Sequence, residues 1–474
     1  MPLNPAGLHS LVWVLVCLLA VPGRLSAEEA ALSCPTPVKK VAIAKAPPII
    51  WSRPAAACFS PPALDRKCLV SRRPCDLDME AAKIAWKYFQ NNYNPETGMV
   101  NAANGYPSTT MWDLGSSVFA TLAAREFELI TRKEFDDRIA ALLNTLHTQK
   151  LYKGEAPNKA YNTKTGVMSD YANKPTDGIG FSALDLGRMA SALNALGCLH
   201  SHFAYSAKKV IERWKYCRMI NGGQMRGTII MPATKNEALV QEGRVGYEQY
   251  AGKMFRRLGF DQTIAASYKN ANASTVMIYD VPIAVDLRDP RQQGAFNFVV
   301  TESYVLDAME NGIDAENAPL VRNIYEVQKR RWQRTGIVTA VSEDNVDRPP
   351  YFVYNTIYAA GTPWNCLTDR GVDQSPLRSV STKAAFALIT MYPEDPYSSV
   401  LSAQIASAYD PEKGWYSGIY ESGIGYNKVT TANTNGIILE ALLYRAMGPL
   451  NAICDHCKKT LHIDTPACCE TCGK

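Results

Sequence analysis

Acidic and aromatic side chains occur together in several loops of the 474-residue chain. Trp112 is followed by Asp113, while Asp177, Glu248 and Glu421 lie in or beside other loops that contain glycine and tyrosine. A glycosidic bond is cleaved by two carboxyl groups, one protonated and one ionised, and aromatic rings stack on the apolar faces of sugars. These residue types therefore predict a carbohydrate site with paired carboxylates, in which Asp113, Asp177, Glu248 and Glu421 are the catalytic candidates.

The same loops contain further side chains that suit the binding of a sugar. Tryptophan and tyrosine would stack on pyranose rings, whereas asparagine, arginine and carboxylate groups would form hydrogen bonds with hydroxyls. The candidate substrate-binding residues are Trp112, Tyr247, Glu302, Trp364, Asn365, Asp373, Arg378, Trp415, Tyr416 and Asn435. The tryptophans of this set lie in polar loops, which favours a pocket over a core position.

Simpler structural roles compete with these assignments. Glu248 could stabilise a helix N-terminus through the helix dipole, and Asp113 could cap the helix that follows it. Asp177 precedes a glycine, which is typical of a turn. The competing roles of the others are a helix cap for Glu302 and an ion pair under its loop for Asp373 with Arg378.

Other classes of function lack support in the sequence. The motifs GxSxG, GxxxxGK[ST] and GxGxxG are absent, and the six histidines form no HxxxH or HxxE pattern. The formal net charge of +5 is small and comes from scattered residues, whereas a nucleic-acid site needs a clustered basic surface. We therefore expect no cofactor, no catalytic metal and no nucleic-acid partner.

Helical periodicity surrounds the loops that carry these candidates. The longest predicted helix is Ser182–His200, which begins with an N-cap signature at Ser182 and Asp185. Strands are predicted only at Thr228–Met231, Thr275–Ile278 and Phe296–Val300. One helical hairpin cannot bury both of its faces, so about ten to twelve helices that close into a double ring would satisfy the pattern. The expected fold is all-α, with few short strands and one mouth built by loops.

Longer motifs point to a known family. They are WDLGS at Trp112, FSALDLGR at Phe181, YDVPIAVDLRDP at Tyr279, WNCLTDRGVDQSPLRSVSTK at Trp364 and GWYSGIYESGIGYNKVTTANTNGIILEALL at Gly414. These motifs resemble the bacterial domain-of-unknown-function family 3131 over roughly residues 76–447. That family is similar to glucoamylase-like (α/α)6 toroids, among them bacterial β-glucan-degrading glycoside hydrolases. The resemblance implies an (α/α)6 toroid with a carbohydrate site at the mouth of the ring.

The resemblance also implies a general acid. Glu248, in the segment GYEQYAG, resembles the glutamate that precedes a Tyr-Ala helix in glucoamylase-like enzymes. Partial burial beside Tyr247 and Tyr250 would raise the pKa of this carboxyl, as an acid catalyst requires.

The catalytic base is less well defined by the same comparison. GWYS resembles the family-typical Gly-Phe-Tyr-Asp, but Ser417 stands where the carboxylate would be. Glu421, Asp177 and Asp113 are the possible substitutes, with Glu421 and Asp177 preferred.

The expected function is that of an exported glycoside hydrolase, or transglycosylase, that acts on a β-glucan or exopolysaccharide. Its partner would be a poly- or oligosaccharide. Two alternatives stay open. Ser417 favours a non-catalytic glycan-binding protein that has lost its base, and the many cysteines would suit an envelope scaffold with a degenerate pocket.

The N-terminus has the features of a signal peptide. Leu11–Val21 is an apolar run about half as long as a bilayer span requires, and Ala27 offers a small residue for cleavage before Glu28. Residues 1–27 are therefore predicted to be removed. The mature chain would be periplasmic or secreted, with no transmembrane span.

Cysteine spacing sets the remaining boundaries. The chain has 13 cysteines, and loss of Cys17 with the leader leaves an even number, which favours disulfides in an exported protein. The tail motifs Cys454-x2-Cys457 and Cys469-x2-Cys472 would also suit a structural zinc ion. We predict a Pro- and Cys-rich segment at 28–75, the toroid at 76–449 and a Cys-rich tail at 450–474.

Overall fold

The computed structural model describes residues 74–231, 234, 236–288 and 296–463. The predicted signal peptide, most of the segment 28–75, Cys469 and Cys472 lie outside these ranges. The helices are α1 (Asp76–Asn91), α2 (Met111–Glu126), α3 (Arg132–Thr148), α4 (Ala183–Leu199), α5 (Ala204–Ile211), α6 (Tyr216–Met219), α7 (Tyr247–Arg257), α8 (Thr301–Leu306), α9 (Asn317–Thr335), α10 (Thr382–Met391), α11 (Pro396–Ile405), α12 (Ala432–Met447) and α13 (Leu450–His456). A turn of π-helix, Asp307–Asn311, follows α8 directly.

Six of these helices form a closed inner ring. In the order α2, α4, α7, α8, α10 and α12, each helix packs against the next, and α12 packs against α2. Small residues allow the close approach, because a Cβ atom on Gly187 would lie 2.6 Å from the Ala251 side chain, and one on Gly436 would lie 2.8 Å from Ser116. Helices α2, α4 and α12 are buried on nearly all sides, which is expected for helices at the centre of a protein.

An outer layer covers the inner ring. Helix α1 packs on α12 and α2, α3 on α2, α5 on α4, α9 on α8, and α11 on α10. The outer helix α9 is more polar and buries mainly one stripe, which includes Val321, Ile324 and Gln328. Helix pairs of this kind are what the sequence predicted, and the predicted helix 182–200 corresponds to α4, whose N-cap Ser182 accepts the N–H of Asp185.

The described residues contain eighteen short strands, more than the few that the sequence predicted beside the helices. The strands are β1 (Ser108–Thr109), β2 (Ala160–Asn162), β3 (Met168–Ser169), β4 (Ile220–Asn221), β5 (Gln224–Ile230), β6 (Glu237–Gln241), β7 (Ala273–Ile278), β8 (Val281–Asp286), β9 (Glu343–Asn345), β10 (Phe352–Asn355), β11 (Tyr358–Ala359), β12 (Thr362–Pro363), β13 (Cys366–Leu367), β14 (Ser379–Ser381), β15 (Tyr409–Asp410), β16 (Gly414–Trp415), β17 (Gly418–Tyr420) and β18 (Tyr426–Asn427). They form small antiparallel sheets of two or three strands, because loops between ring helices pair locally.

Two of the three strand predictions are confirmed. The predicted strands 228–231 and 275–278 fall largely on β5 and β7, which pair with β6 and β8. The segment 296–300 forms no strand, since only Val299 makes an isolated bridge, with Tyr358.

Disulfides replace the zinc site that the tail motif allowed. Cys454 in α13 bonds to Cys198 near the end of α4, and Cys457 is also disulfide-bonded, so neither sulfur is available as a thiolate ligand. Cys75 and Cys217 are disulfide-bonded as well. Within the described part of the chain, Cys366 is a buried free thiol.

The segment Ala432–His456 is the one stretch among the described residues that is long and apolar enough to cross a membrane by length and composition. It contains α12, which is part of the inner ring, and 72% of its most apolar window is buried inside the protein. Burial of this kind is typical of a core helix.

A buried ionic cluster occupies the interior of the ring. Arg188 of α4 is fully buried, and its guanidinium donates to Glu310 Oε1 at 2.7 Å and to Glu440 Oε2 at 2.8 Å. Tyr250 donates to the same Glu310 oxygen at 2.7 Å. Burial and the adjacent Glu440 charge raise the pKa of Glu310 well above its usual range. We call these four residues the interior cluster.

Candidate active site

The N-termini of the six inner helices meet at one end of the ring, which we call the mouth. Trp112, in the first turn of α2, donates its indole N–H to Glu302 in the first turn of α8 at 3.0 Å. Asn433 of α12 donates to both Glu302 oxygens at 3.0 and 3.2 Å, and Lys383 of α10 lies 2.5 Å from Glu302 Oε2. Tyr247, which begins α7, packs edge-on against Trp112 at 5.6 Å. Helix N-termini carry partial positive charge, so this end of the ring favours carboxylates.

Glu302 was predicted to bind substrate, but in the structure its carboxylate binds other side chains of the protein. Its side chain is almost fully buried, and Trp112, Asn433 and Lys383 occupy both of its oxygens. Glu302 therefore connects three helices at the mouth and fixes the orientation of the Trp112 ring. It does not cap α8 either, because its helix has no side-chain cap.

Two half-buried carboxyl groups lie at the N-terminus of α4. Asp185 belongs to the first turn of that helix, while Glu242, just after β6, accepts the backbone N–H of Ala183 at 2.5 Å. The Ser182 hydroxyl accepts the N–H of Asp185 at 3.2 Å and also interacts with the Glu242 carboxylate. One helix end thus brings together two carboxyls that are more than fifty residues apart in the chain.

The electrostatic surroundings of this pair differ between its members. Burial raises the pKa of Asp185 to about 7, and the negative charges of Glu242 and Asp113 act in the same direction. Burial also raises the pKa of Glu242, but the positive charge of Lys159 and the hydrogen bonds at the end of α4 oppose that rise. Asp185 is thus the better candidate for the protonated carboxyl near neutral pH.

Asp113 lies near this pair and has a defined structural role. It is the third residue of α2, and its carboxylate completes a capping box with Thr110, whose hydroxyl donates to Asp113 Oδ2 at 2.8 Å. Burial raises its pKa, partly offset by the hydrogen bonds from Thr110. The capping alternative is therefore correct, and the position of Asp113 at the mouth still allows its charge to act on Asp185.

Glu248, the predicted general acid, lies in a closed ion-pair group. Its side chain is fully buried, Arg288 donates to it at 2.6 Å, and Gln241 donates at 3.1 Å. Burial raises its pKa and the Arg288 charge opposes the rise. A general acid must reach the glycosidic oxygen, and a carboxylate that is enclosed in this way does not. Arg288, forty residues further along the chain, is the partner that the sequence did not indicate.

Asp177 and Glu421, the preferred candidates for the catalytic base, contact other residues and do not belong to the Asp185–Glu242 pair. Asp177 has a fully exposed side chain and lies 3.4 Å from Lys150, as expected for a surface turn. Glu421 accepts two hydrogen bonds from Arg331 of the outer helix α9, at 2.6 and 2.9 Å, and lies 3.5 Å from Arg378. Both carboxylates therefore have structural partners elsewhere.

The remaining predicted sugar-binding residues divide between core and loop positions. Trp415 is fully buried and donates its indole N–H to the Ala81 carbonyl of α1 at 3.1 Å, so its assignment to the pocket was wrong. Asn435, also buried, hydrogen-bonds the backbone of Trp415. Tyr416 is half-buried and lies 5.8 Å from Tyr426.

The segment between β12 and α10 holds four more of these residues. Asn365 donates to the Ala359 carbonyl at 2.9 Å, and Asp373 accepts the Ser375 hydroxyl at 2.6 Å. Arg378 donates to the same hydroxyl at 3.0 Å, so the predicted Asp373–Arg378 pair is linked through that serine. Trp364 lies under the Arg331 guanidinium, at 4.8 Å from its ring centre.

Aromatic rings line the mouth beside the carboxyl pair. Trp112 and Tyr247 are half-buried, and Trp112 also packs against Tyr250 at 5.7 Å. Phe298 and Tyr354 stack nearly parallel with ring centres 3.8 Å apart. Burial raises the pKa of the Tyr354 hydroxyl, and the negative charges of Glu343 and Asp369 act in the same direction.

The described residues offer no metal site at the mouth or elsewhere, because no group of three or more His, Cys, Asp or Glu side chains is placed to hold an ion. Ser417, at the position of the family-typical carboxylate, is fully buried, and its hydroxyl has no hydrogen-bond partner in the described part of the structure. A carboxyl pair between aromatic rings can perform acid–base chemistry without a metal.

Comparison with known proteins gives the family and the fold. The DUF3131 family, described as a protein of unknown function, matches residues 80–448. A glucoamylase-like protein from Bacteroides caccae has a TM-score of 0.60 and 13% identity, covering 81% of this chain and 97% of that one. No curated protein matches the chain.

Two endo-β-1,2-glucanases are also similar in structure. The enzyme from Chitinophaga pinensis, in complex with sophorotriose and glucose, has a TM-score of 0.60 and 14% identity, covering 81% of this chain and 96% of that one. The enzyme from Talaromyces funiculosus, in complex with sophorose, has a TM-score of 0.56 and 16% identity, covering 81% of this chain and 86% of that one. The protein is thus a glucoamylase-like toroid, and the chain belongs to the DUF3131 family.

Proposed function

We propose that the protein is a glycoside hydrolase, or a transglycosylase, that acts on a β-glucan or exopolysaccharide. The observation that supports this proposal most directly is the half-buried pair Asp185 and Glu242 at the mouth, beside the Trp112 and Tyr247 rings. The toroid fold is shared with endo-β-1,2-glucanases, which favours a glucan. We further propose that the toroid has the complete (α/α)6 arrangement, of which the closed ring of six inner helices is one half.

In this mechanism Asp185 is the general acid. Its carboxyl is protonated near neutral pH and would donate the proton to the oxygen of the leaving sugar. Glu242 is the ionised partner, because Lys159 and the N–H of Ala183 stabilise its negative charge. It would activate water or attack the anomeric carbon. Asp113 helps to keep the proton on Asp185 through its negative charge.

A non-catalytic glycan-binding protein is the second candidate. Ser417 favours it, since this chain lacks the carboxylate that the family-typical motif has at that position. In that case the mouth would bind a saccharide and release no product.

The two candidates are separated by one set of variants. Wild type, Asp185→Asn and Glu242→Gln would be incubated with a panel of glucans that includes β-1,2-glucan, with detection of reducing ends and of lengthened products. We expect each variant to lose about 100-fold or more of the wild-type rate while still binding the glucan. Asp177→Asn is the matched control, because it removes an exposed carboxylate, and it should keep the full rate.

The outcomes of this assay are distinct. Full activity in Asp185→Asn would contradict the assigned mechanism. A wild type that binds a glucan without releasing any product would favour the binding protein. A wild type that neither binds nor cleaves any member of the panel would exclude both candidates.

We also propose that the protein is exported and that residues 1–27 are removed. The Cys198–Cys454 disulfide and the disulfide-bonded Cys75, Cys217 and Cys457 support an oxidising compartment. Mass spectrometry of the protein from its native host would test this. The expected mature chain begins at Glu28, and an intact N-terminus at Met1 would contradict export by this route.

A further inference from the structure

A cavity of about 250 Å³ lies at the end of the ring opposite the mouth. It borders the last turn of α2 and Leu199, which ends α4. Both helices begin at the mouth and α4 has 17 residues, so the cavity lies about 25 Å from the mouth. We call it the rear cavity, and the side chains that matter below are Arg125, Arg132, Phe135, Asp136, His200 and His202. None of the described residues assigned to the mouth lines it, so it is a separate place for a ligand.

Basic side chains outnumber acidic ones around the rear cavity. Arg132 and Asp136, in the first two turns of α3, lie 3.7 Å apart, and His202 Nε2 lies 3.1 Å from the same carboxylate. Arg125 is half-buried, and in the described part of the chain no carboxylate pairs with it. The C-terminal dipole of α2 offsets part of its charge, whereas the N-terminal dipole of α3 adds positive charge. The rear cavity therefore attracts an anion.

The remaining wall of the rear cavity is less polar. Phe135 is fully buried, and its ring centre lies 4.3 Å from that of His200, so it supports the imidazole from below. His200 and Leu199 are both half-buried, and the His202 ring lies 6.1 Å from the His200 ring. The volume corresponds to about eight water molecules, more than a bare phosphate or sulfate ion fills. A ligand that fits has one anionic group for the arginines and a compact body beside the imidazole.

His200 is uncharged near neutral pH. Burial lowers its pKa to about 4, and the nearby His202 acts in the same direction. The charges of Arg125 and Arg132 also lower this pKa, while the Asp136 charge opposes them. These groups belong to α2, to α3 and to the segment after α4, which are the elements that border the rear cavity. A bound anion would favour the protonated imidazole, so binding should raise the pKa of His200.

We propose that the rear cavity binds a small phosphate or sulfate ester, with Arg125 and Arg132 on the ester oxygens and the compact body of the ligand beside the His200 ring. Arginine suits these groups because its planar guanidinium donates to two oxygens at once. The rear cavity is distant from the carboxyl pair, so the ester is a bound ligand and not the group that is cleaved. The inference goes beyond the proposed function and does not depend on it.

Calorimetric titration of the full mature chain with glucose 6-phosphate, glucose 6-sulfate and glucose tests the proposal. We expect both esters to bind at least about tenfold more tightly than glucose. Arg125→Gln should weaken the binding of glucose 6-phosphate about tenfold, and Arg132→Gln about threefold, because Asp136 already offsets the Arg132 charge. Arg334→Gln is the matched control, since it removes a surface arginine that pairs with Asp280, and it should keep the affinity within about twofold.

A second measurement uses the wild-type protein. The ring protons of the six histidines would be followed by NMR from about pH 3 to 7, with and without glucose 6-sulfate, whose charge stays constant over this range. The His200 signal is identified by its loss in His200→Gln. Its titration midpoint should rise from about 4 when the probe is bound. An unchanged midpoint would place the probe elsewhere and overturn the site.

The remaining outcomes are also decisive. If neither ester binds more tightly than glucose, or if Arg125→Gln and Arg334→Gln have equal affinities, the site is overturned. If the protein binds phosphatidylcholine vesicles that contain phosphatidic acid but neither soluble ester, the ligand is a lipid headgroup and a soluble ester is wrong. Circular dichroism checks that each variant is folded, and if Arg125→Gln is not, the His200 titration decides. None of these results depends on cleavage at the mouth, which Asp185→Asn tests separately.

Discussion

The interior cluster and the mouth of the ring both contain buried or half-buried carboxyl groups, yet their surroundings differ. Glu310 and Glu440 share the guanidinium of Arg188, and Tyr250 donates a further hydrogen bond. Asp185 and Glu242 have Lys159 as a nearby cation and keep part of their surface open to solvent. Burial raises the pKa of carboxyls in both places.

This difference separates structural from chemical roles. In the interior cluster every charge has a partner and solvent has no access, so the proton cannot pass to a substrate. At the mouth, no ion pair among the described residues compensates for the burial of Asp185. Its ionised form therefore lowers the stability of the folded protein, and the protonated carboxyl is available to a bound molecule. Sites of this kind are expected where function has been favoured over stability.

The largest expected effect comes from removing the cation of the interior cluster. Arg188→Met leaves Glu310 and Glu440 without their buried partner, and loss of one side of a buried pair costs about 3–5 kcal/mol in the free energy of unfolding. Denaturant unfolding would measure it. Arg334→Met is the control, because Arg334 pairs with Asp280 at the surface and its loss should cost about 1 kcal/mol or less. If the two variants were equally stable, the ion pairs of the interior cluster would contribute no more to stability than a surface pair, and the structural role assigned to the cluster would be wrong.

The pH dependence of activity is the next test. An acid catalyst with a pKa of about 7 must be protonated, so kcat/KM should fall about tenfold per pH unit above that value. Asp113→Asn removes a negative charge that raises the pKa of Asp185, so the fall should begin at lower pH. In this variant the asparagine amide oxygen can replace the carboxylate in the capping box with Thr110, so helix α2 should stay intact. A pH profile that is the same in wild type and Asp113→Asn would contradict the coupling.

The smallest expected effect is a gain in stability. The folded-state pKa of Asp185, about 7, lies above its ordinary value of 3.8, so the folded protein binds this proton more tightly. Stability is then fully present at low pH and is lost as pH rises from about 4 to 7. Asp185→Asn carries no charge at any pH and should raise the midpoint of thermal unfolding by about 1 °C or more at pH 7.5.

That gain should disappear near about pH 2.5, where the wild-type carboxyl is mostly neutral in both folded and unfolded chains. Glu242→Gln provides a comparison, since hydrogen bonds at the end of α4 offset the cost of its charge and its gain should be smaller. A loss of stability in Asp185→Asn at pH 7.5 would show that the carboxylate is a favourable part of the fold.

The sequence predicted the helices well because their signals are local. Apolar periodicity and the Ser182 cap fix α4 within two residues at each end. Trp112 lies in the first turn of the inner helix α2, which the sequence placed directly after this motif. The short sheets were largely missed because most of their strands have only two or three residues, too few to show an alternating pattern.

The candidate site was harder to predict because the role of each carboxyl depends on the side chains that contact it in the folded chain. Glu248 and Glu421 have suitable neighbours in sequence, but Arg288 and Arg331 engage them in the folded chain. The sequence predicts Asp185 only as part of a helix cap, and Glu242 is not among its candidates. Asp185 could have been found from its position in the first turn of a long helix, whereas Glu242 reaches the start of that helix only in the folded chain.

The Cys198–Cys454 bond joins residues 256 positions apart, and so makes one covalent circle of most of the ring. A protease that cuts an exposed loop once within that circle would leave both fragments attached to each other. Separation would require a second cut or a reductant. Where reductants are scarce, such a nicked protein would keep its helices together after a cut at its surface.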